Sequence, residues 1–362
     1  MKIGILTWWD VLNYGSAFQA YALQQSIEQL GAETEILIHD RPMPDYGGNH
    51  LLERSMKGLI AWMRNQSPRR RWNRRLTREK LEKFRAFHRQ YLRIGDHYST
   101  TRADRVIIGS DQILDIDYFY YPFQFGKGVP SPFIGTYAPC FGETTWESLQ
   151  KNQAFDEICS SIHTWQSVNA RDRNTQDILQ KILNRDIPLT LDPVLLYPFE
   201  QEKRMWNQRM VDEPYAVVYT WGGFTTGSGF AAQCRDFARR NHLKLVSVGE
   251  VRPWCDIQYA AASPVEFFEL FLHADMVLTN MFHGTCFSIA LDRPFYSFVM
   301  PHNQNKLGGL LSFLELESQI KCAPEEIAEA YIPTMDWEKI HHTLEDKRER
   351  SFWVLQQMLK GS

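Results

Sequence analysis

His283 stands in the turn Asn280-Met281-Phe282-His283-Gly284-Thr285, between the apolar run Met276-Val277-Leu278 and the helix-like Cys286-Phe287-Ser288-Ile289-Ala290-Leu291. A strand that feeds a helix through a glycine-containing turn directs unpaired backbone N–H groups at whatever lies above it, and the helix dipole favours negative charge there. An imidazole in that place both contacts an anion and moves a proton. The plainer account is that His283 caps the helix and Gly284 permits a tight turn. This stretch alone leaves both accounts open.

The elements that must position such a residue follow from periodicity. Lys2 to Thr7 reads as a buried strand, and Ala17 to Leu30 as a helix with Ala20, Leu23, Ile27 and Leu30 on one stripe, ended by Gly31. Thr34 to His39 is the next strand. This β-turn-α-β order opens a parallel doubly wound sheet and puts Asn13-Tyr14-Gly15-Ser16 at the carboxyl end of the first strand, where such sheets bind ligands. The turn departs from G-x-G-x-x-G, so no dinucleotide site is assigned. Arg105 to Ile108 ends in Gly109-Ser110-Asp111-Gln112, and the strand Pro132 to Tyr137 runs into Ala138-Pro139-Cys140-Phe141-Gly142. Both endings read as active-site edge loops. A helix around Trp146 to Ile162 leads to Val168-Asn169-Ala170-Arg171-Asp172, and Pro188 to Leu191 leads to Asp192-Pro193.

The polar segment Pro198 to Glu213 is the candidate linker. A second unit follows, with the strand Tyr215 to Tyr219, a helix near Phe230 to Arg240 and the strand Leu243 to Val248. Ser263-Pro264-Val265-Glu266 is a strong helix start, because Ser263 can cap, Pro264 suits the first turn and Glu266 completes a capping box. That helix runs to His273 and delivers the chain to the Met276 strand and the His283 turn, after which Asp292-Arg293-Pro294 leads into the strand Phe295 to Val299. Trp337 to Leu359 reads as an amphipathic closing helix. The expected division is residues 1–205, 206–335 and 336–362, two units of one α/β architecture and a helix that closes them.

Between about residues 51 and 94 the first unit carries a helical insertion in which Arg69, Arg70, Arg71, Arg74, Arg75 and Arg78 precede Phe84, Phe87 and Tyr91. One account is a solvated basic face over an aromatic seam. The other is a contact for a phosphorylated or lipid-linked acceptor at the inner face of a membrane.

A chain of 362 residues suits two domains. The net charge of -3 gives no global attraction to nucleic acid or to an anionic membrane, so partners must be argued from sites. No signal peptide or membrane-spanning run is visible. The cysteines Cys140, Cys159, Cys234, Cys255, Cys286 and Cys322 form no C-x-x-C pair, which argues against a zinc site or a disulfide framework and for a reducing, cytoplasmic setting.

In order along the chain, Asn13-Tyr14-Gly15 with Gln19-Ala20-Tyr21-Ala22-Leu23, Gly109-Ser110-Asp111-Gln112, Ala138 to Gly142, Arg171-Asp172, Leu191-Asp192-Pro193 and Phe282-His283-Gly284-Thr285 resemble the polysaccharide pyruvyl transferase family. The resemblance covers most of the chain. It implies a glycosyltransferase-B-like pair of Rossmann-like domains, with parallel sheets facing a cleft and the closing helix packed back. It also implies transfer of pyruvate from phosphoenolpyruvate to hydroxyls of a cell-surface polysaccharide or a lipid-linked precursor, as a ketal.

Phosphoenolpyruvate holds a carboxylate and a phosphate close together, which an arginine fork matches bidentately, and Arg171 is the candidate clamp. His283 is the candidate general acid for the vinyl carbon, since a neighbouring dianionic phosphate favours its protonated form. Phe282, Gly284 and Thr285 would shape the donor side, with Lys306 adding positive charge near the phosphate. Asp111 is either the base for the sugar hydroxyl or a helix cap. Asp192, before Pro193, reads as structural, fixing a turn at the cleft. Asn13, Tyr14 and Gly15 lie where the acceptor should enter, with Tyr14 equally readable as core. No metal or cofactor is demanded. The family commonly has serine before Phe-His-Gly where this chain has Met281, and tryptophan after Gly-Ser-Asp-Gln-Ile where it has Leu114. The competing readings are a nucleotide-sugar glycosyltransferase on the same plan and a catalytically inactive glycan-binding module.

Overall fold

The computed structural model describes residues 1–40, 68–117, 120–221, 228–300, 303–327 and 329–360. Two all-parallel sheets organise them. In the first, β1 (Lys2–Leu6), β2 (Glu33–Ile38), β3 (Ile94–His97), β4 (Arg105–Ile108) and β5 (Ile134–Thr136) lie in the order β3-β2-β1-β4-β5. In the second, β6 (Tyr215–Tyr219), β7 (Lys244–Val248), β8 (Ile257–Tyr259), β9 (Met276–Thr279), β10 (Phe295–Phe298) and β11 (Ile320–Lys321) lie in the order β11-β10-β9-β6-β7-β8. The central strands are apolar along their length, as strands covered by helices on both faces must be. β6, Tyr-Ala-Val-Val-Tyr, is buried at every position and pairs Val217 with Val246 on one side and Val277 on the other.

The principal helices are α1 (Tyr14–Gln29), α2 (Pro68–Tyr91), α3 (Arg173–Leu183), α4 (Ser228–Arg240), α5 (Pro264–Leu272), α6 (Phe282–Ala290) and α7 (Trp337–Lys360). The capping box at α5 forms as its sequence requires: Glu266 N–H donates to Ser263 Oγ at 3.0 Å, and Ser263 N–H to Glu266 Oε2 at 2.6 Å. α7 packs back on the first half. Arg105 donates to the Met358 carbonyl at 3.0 Å and the Leu191 N–H to Ser351 Oγ at 3.0 Å. Among the described residues no helix is long and apolar enough to cross a membrane.

Three local expectations change. The helix foreseen from Trp146 to Ile162 is two, Trp146–Lys151 and Phe155–His163, interrupted where Asn152 takes an extended conformation. The short strands β3, β8 and β11, unread in the sequence, complete sheet edges. The segment Pro198 to Glu213 does not behave as a solvated linker, because Phe199, Trp206 and Val211 enter the apolar core that spans both halves. The Oε1 of its buried Glu202 accepts there from the hydroxyls of Tyr21 and Tyr197.

α2 joins the halves. Phe84 and Phe87 are buried against the core, while Lys83 pairs with Glu266 at 2.9 Å and Lys80 donates to the Gly249 carbonyl at 3.2 Å. Arg74, Arg75 and Arg78 are exposed on its other side, which is the basic face over an aromatic seam. Residues 51–67 of the expected insertion, and the side chains of Arg69, Arg70 and Arg71, lie outside the described residues.

Candidate active site

The site forms where the carboxyl ends of the two sheets meet the first turns of α1 and α6. Asn13 is the N-cap of α1, its Oδ1 accepting from Ser16 N–H at 3.3 Å. The stretch expected as a turn is therefore the first helical turn, because asparagine satisfies a free N–H there and the helix starts three residues early. Gly15 is glycine for a different reason than a turn would give. A Cβ on it would lie 2.0 Å from Nδ1 of His283, so α1 and α6 approach this closely only because Gly15 has no side chain. α6 likewise begins at Phe282, with Met281 as a cap that makes no side-chain bond, so His283 lies inside the helix and does not cap it.

His283 is 7 % exposed and its Nε2 lies 3.5 Å from Asp192 Oδ2, a charge contact rather than a formed hydrogen bond. Asp192 Oδ2 also accepts from Arg171 Nη1 at 3.1 Å, and the same Nη1 donates to Asp111 Oδ1 at 3.0 Å. Ser16 and Ser110 hydroxyls donate to the free oxygen of Asp111 and to Asp192, each at 3.4 Å. The Phe282 ring lies 4.2 Å from the guanidinium carbon of Arg171, a cation–π contact that also fixes the plane of the fork. Two carboxylates, one guanidinium and one imidazole thus form a compact cluster, buried except for the partly exposed Asp111. Arg171 Nε and His283 Nε2 are buried donor positions that make no hydrogen bond.

The charges set the protonation of the aspartates. Burial, the largest influence on Asp192, would raise its pKa, but His283, Arg171 and the Val194 N–H together hold it at about 2 against an ordinary 3.8. Asp111 is lowered by the same two cations against a burial effect of the opposite sign. A carboxyl whose folded pKa is depressed stabilises the fold above its unfolded pKa and loses that contribution as pH falls through the folded value. Asp192 should therefore contribute roughly 2 kcal/mol near neutral pH, lost between about pH 4 and pH 2. The thermal midpoint of the wild type should fall more steeply over that window than that of Asp192→Asn, and parallel curves would show that the cluster is not ionised as described.

Gly15→Ala gives a sharper test of the helix approach. The added methyl must displace the imidazole or part the two helices, and a displacement of this kind costs about 10²-fold in turnover. Activity at the wild-type level in this variant would mean that the close approach has no part in the chemistry.

Two cavities meet at the cluster. The larger, about 530 Å³, lies between the halves and is walled by Trp8, Asn13, Lys80, Asp111, Trp221 and Glu250. The smaller, about 400 Å³, is walled by Arg171, Arg173, Asp192, Phe282 and Lys306. Asp111 faces the first and Arg171 and Asp192 the second, so the cluster is their common wall.

Of the residues singled out in the sequence, Asp111, Arg171 and Phe282 lie on this wall, Lys306 lines the smaller cavity, and His283 and Gly15 pack against the cluster without lining either cavity. Tyr14 borders the larger cavity but is 1 % exposed. Its ring stacks on Phe267 at 4.3 Å and its hydroxyl donates to the Ala262 carbonyl at 2.9 Å, so it locks the halves together. Gly284 and Thr285 support α6 from beneath. A Cβ on Gly284 would lie 2.3 Å from Thr279 Oγ1, and the Thr285 hydroxyl pairs with Ser297 at 2.6 Å. Leu114 is fully buried, whereas Met281 lines the larger cavity.

Asp192 has both roles at once. Its Oδ1 caps the short helix Pro193–Leu196 by accepting from Val194 N–H at 3.0 Å, the turn-fixing role expected of it, while Oδ2 enters the cluster. Lys80 and Trp221 carried no site signal in the sequence. A lysine in a basic helix reads as solvated, and an isolated tryptophan after a strand reads as core.

Residues 13–300 match the family model described as Polysaccharide pyruvyl transferase. No curated protein matches the sequence. Among solved structures the chain is similar to UDP-GlcNAc 2-epimerase from Neisseria meningitidis bound to UDP-GlcNAc, with a TM-score of 0.50 at 10 % identity over 100 % of both chains. Another similar structure is Arabidopsis thaliana UGT89C1 complexed with UDP-L-rhamnose, with a TM-score of 0.49 at 11 % identity over 97 % of this chain and 94 % of that one. At such identity the likeness to the epimerase is one of fold, the two-sheet glycosyltransferase-B-like plan. The family match runs from the α1 cap through β10 and takes in Asp111, Arg171, Asp192 and His283, and the chain belongs to the polysaccharide pyruvyl transferase family.

Proposed function

We propose that this protein transfers pyruvate from phosphoenolpyruvate to two hydroxyls of a sugar in a polysaccharide or its precursor, forming a ketal. The observation that carries the reading is the shared wall. A cation-bearing cavity with Arg171, Arg173 and Lys306 suits a small donor with carboxylate and phosphate groups, and the larger cavity opposite offers carboxylate and amide oxygens and indoles to a sugar.

In this scheme His283 delivers a proton to the methylene carbon of the donor, which becomes the methyl group of the product. Positive charge develops on the adjacent carbon, and a sugar hydroxyl attacks it while passing its proton to Asp111. The bond from that carbon to the phosphate oxygen breaks and phosphate departs. The second hydroxyl adds to the same carbon and its proton leaves with the phosphate, while the proton taken up by Asp111 returns to His283 by way of solvent, so one donor and two hydroxyls give one ketal and inorganic phosphate and both side chains regain their starting states. Asp192 Oδ2 lies 3.5 Å from His283 Nε2, close enough to orient the imidazole. Arg171 is held rigid by two aspartates and an aromatic ring, which suits a group that must orient a donor without rearranging.

Purified protein offered phosphoenolpyruvate and a panel of glycosides should release inorganic phosphate and add the mass of a pyruvate ketal to one of them. Release of a nucleotide from a nucleotide sugar instead would support a glycosyltransferase, and glycan binding that ignores phosphoenolpyruvate and survives His283→Ala would support a binding module. The exposed Arg74 and Arg75 also suit contact with an anionic membrane carrying a lipid-linked acceptor. Sedimentation with vesicles that does not depend on anionic lipid content would remove that part of the reading.

A further inference from the structure

Trp221 follows β6 at the mouth of the larger cavity and is 64 % exposed, yet its backbone is clamped from both sides. Its N–H donates to Asn280 Oδ1 at 2.8 Å, and its carbonyl accepts from Asn280 Nδ2 at 2.7 Å. Asn280 is 6 % exposed and directly precedes Met281, Phe282 and His283, so the segment that carries the candidate acid also fixes the indole. An exposed indole on a fixed backbone beside a reaction centre is a flat apolar platform whose position is set relative to that centre.

The remaining wall is unequal in charge. Among the described residues it presents the carboxylates of Asp111, Asp115 and Glu250 and the ammonium of Lys80, with Asp111 paired to Arg171 at 3.0 Å and Glu250 to Arg252 at 2.9 Å. That ammonium is turned to the Gly249 carbonyl at 3.2 Å and sits 4.6 Å from the centre of the Tyr14 ring. Oxygen acceptors of this kind take hydroxyl donors, and among the described residues this wall turns no cation toward an anion, the reverse of the Arg171, Arg173 and Lys306 side of the common wall.

We infer that the larger cavity selects an uncharged pyranoside end of the acceptor, with the apolar face of the ring laid on Trp221 and its hydroxyls directed at the carboxylate and amide oxygens, and that it rejects a sugar bearing phosphate or carboxylate at that position. The inference rests on the preceding assignment of this cavity to the acceptor. It names the chemical class that the assignment leaves open, and it separates the sugar end from any charged linkage further along the acceptor, which lies outside the cavity.

The test combines binding with turnover. Wild type, Trp221→Ala and Trp221→Phe are titrated with methyl hexopyranosides, hexose 6-phosphates and methyl hexuronosides in the absence of phosphoenolpyruvate, by saturation-transfer NMR. The acceptor and donor KM values are then measured by phosphate release, with thermal midpoints confirming that the variants fold. Neutral glycosides should bind the wild type most tightly. Trp221→Ala should raise the acceptor dissociation constant and KM about tenfold, as for the loss of one aromatic contact, with donor KM unmoved and Trp221→Phe close to wild type. An unchanged acceptor KM in Trp221→Ala, or phosphorylated or uronic sugars binding as tightly as neutral ones, would overturn the inference. If neutral glycosides bind through Trp221 but no glycoside supports release of phosphate from phosphoenolpyruvate, the assignment of the cavity to a neutral sugar stands and the proposed reaction falls.

Discussion

His283→Gln should lower phosphoenolpyruvate-dependent phosphate release by about 10²–10⁴-fold, the range in which a positioned general acid contributes. Glutamine keeps much of the volume of the ring and a polar end, but it has no proton to give at neutral pH. The choice matters because His283 is buried between α1 and Asp192, so alanine would add a cavity and a weakened charge cluster to the loss of the acid. A turnover near wild type in His283→Gln, in a variant with an intact thermal transition, would remove His283 as the acid. The family membership would stand, and attention would pass to another donor on the common wall.

Arg171→Met should be the most destabilising single change at the site. It leaves Asp111 and Asp192, which share Arg171 Nη1 at 3.0 and 3.1 Å, without the guanidinium that pairs them. Removing one partner of a buried ion pair costs about 3–5 kcal/mol, because the remaining charge stays out of water without compensation. The thermal midpoint should drop by on the order of 10 °C. The deficit should shrink as pH is lowered toward the range in which the freed carboxylates take up protons, which a loss of packing volume would not do. A variant of wild-type stability at neutral pH would show that the aspartates are not held charged by this residue. Arg171→Lys restores the charge but not the planar fork, so it should recover part of the stability while the KM for phosphoenolpyruvate remains raised. An unchanged donor KM in that variant would take Arg171 out of the donor site.

Periodicity and end signals made the framework legible. The apolar runs of β1, β6 and β9 read as buried strands because helices cover both of their faces, and the Ser263/Glu266 box marked the start of α5 because it satisfies two free N–H groups with local side chains. The same local logic misjudged α1. Asn13 is a good cap, but Gly15 drew the reading toward a turn, and the helix that explains Gly15 lies in the other half of the molecule. β8 and β11, of three and two residues, have too little length for a pattern and exist only because a neighbouring strand offers them a ladder. Pro198 to Glu213 read as a linker because its composition is polar. Its burial depends on distant partners, Tyr21 and Tyr197, whose hydroxyls donate to Glu202 Oε1.

By itself the sequence determined which residue types stood at the carboxyl ends of which strands: Asp111 after β4, the Arg171-Asp172 and Asp192-Pro193 pairs, and His283 after β9. Those assignments are local, set by alternation, caps and turn residues within a few positions. Only the tertiary structure decided that one guanidinium nitrogen would serve both Asp111 and Asp192, that the imidazole would rest on Gly15, and that the resulting cluster would part a cavity lined by Arg173 and Lys306 from one lined by Asp115 and Glu250. Contacts between residues 21 and 60 positions apart are fixed by how two sheets and the helices between them pack, and no spacing along a chain encodes a distance across a cleft.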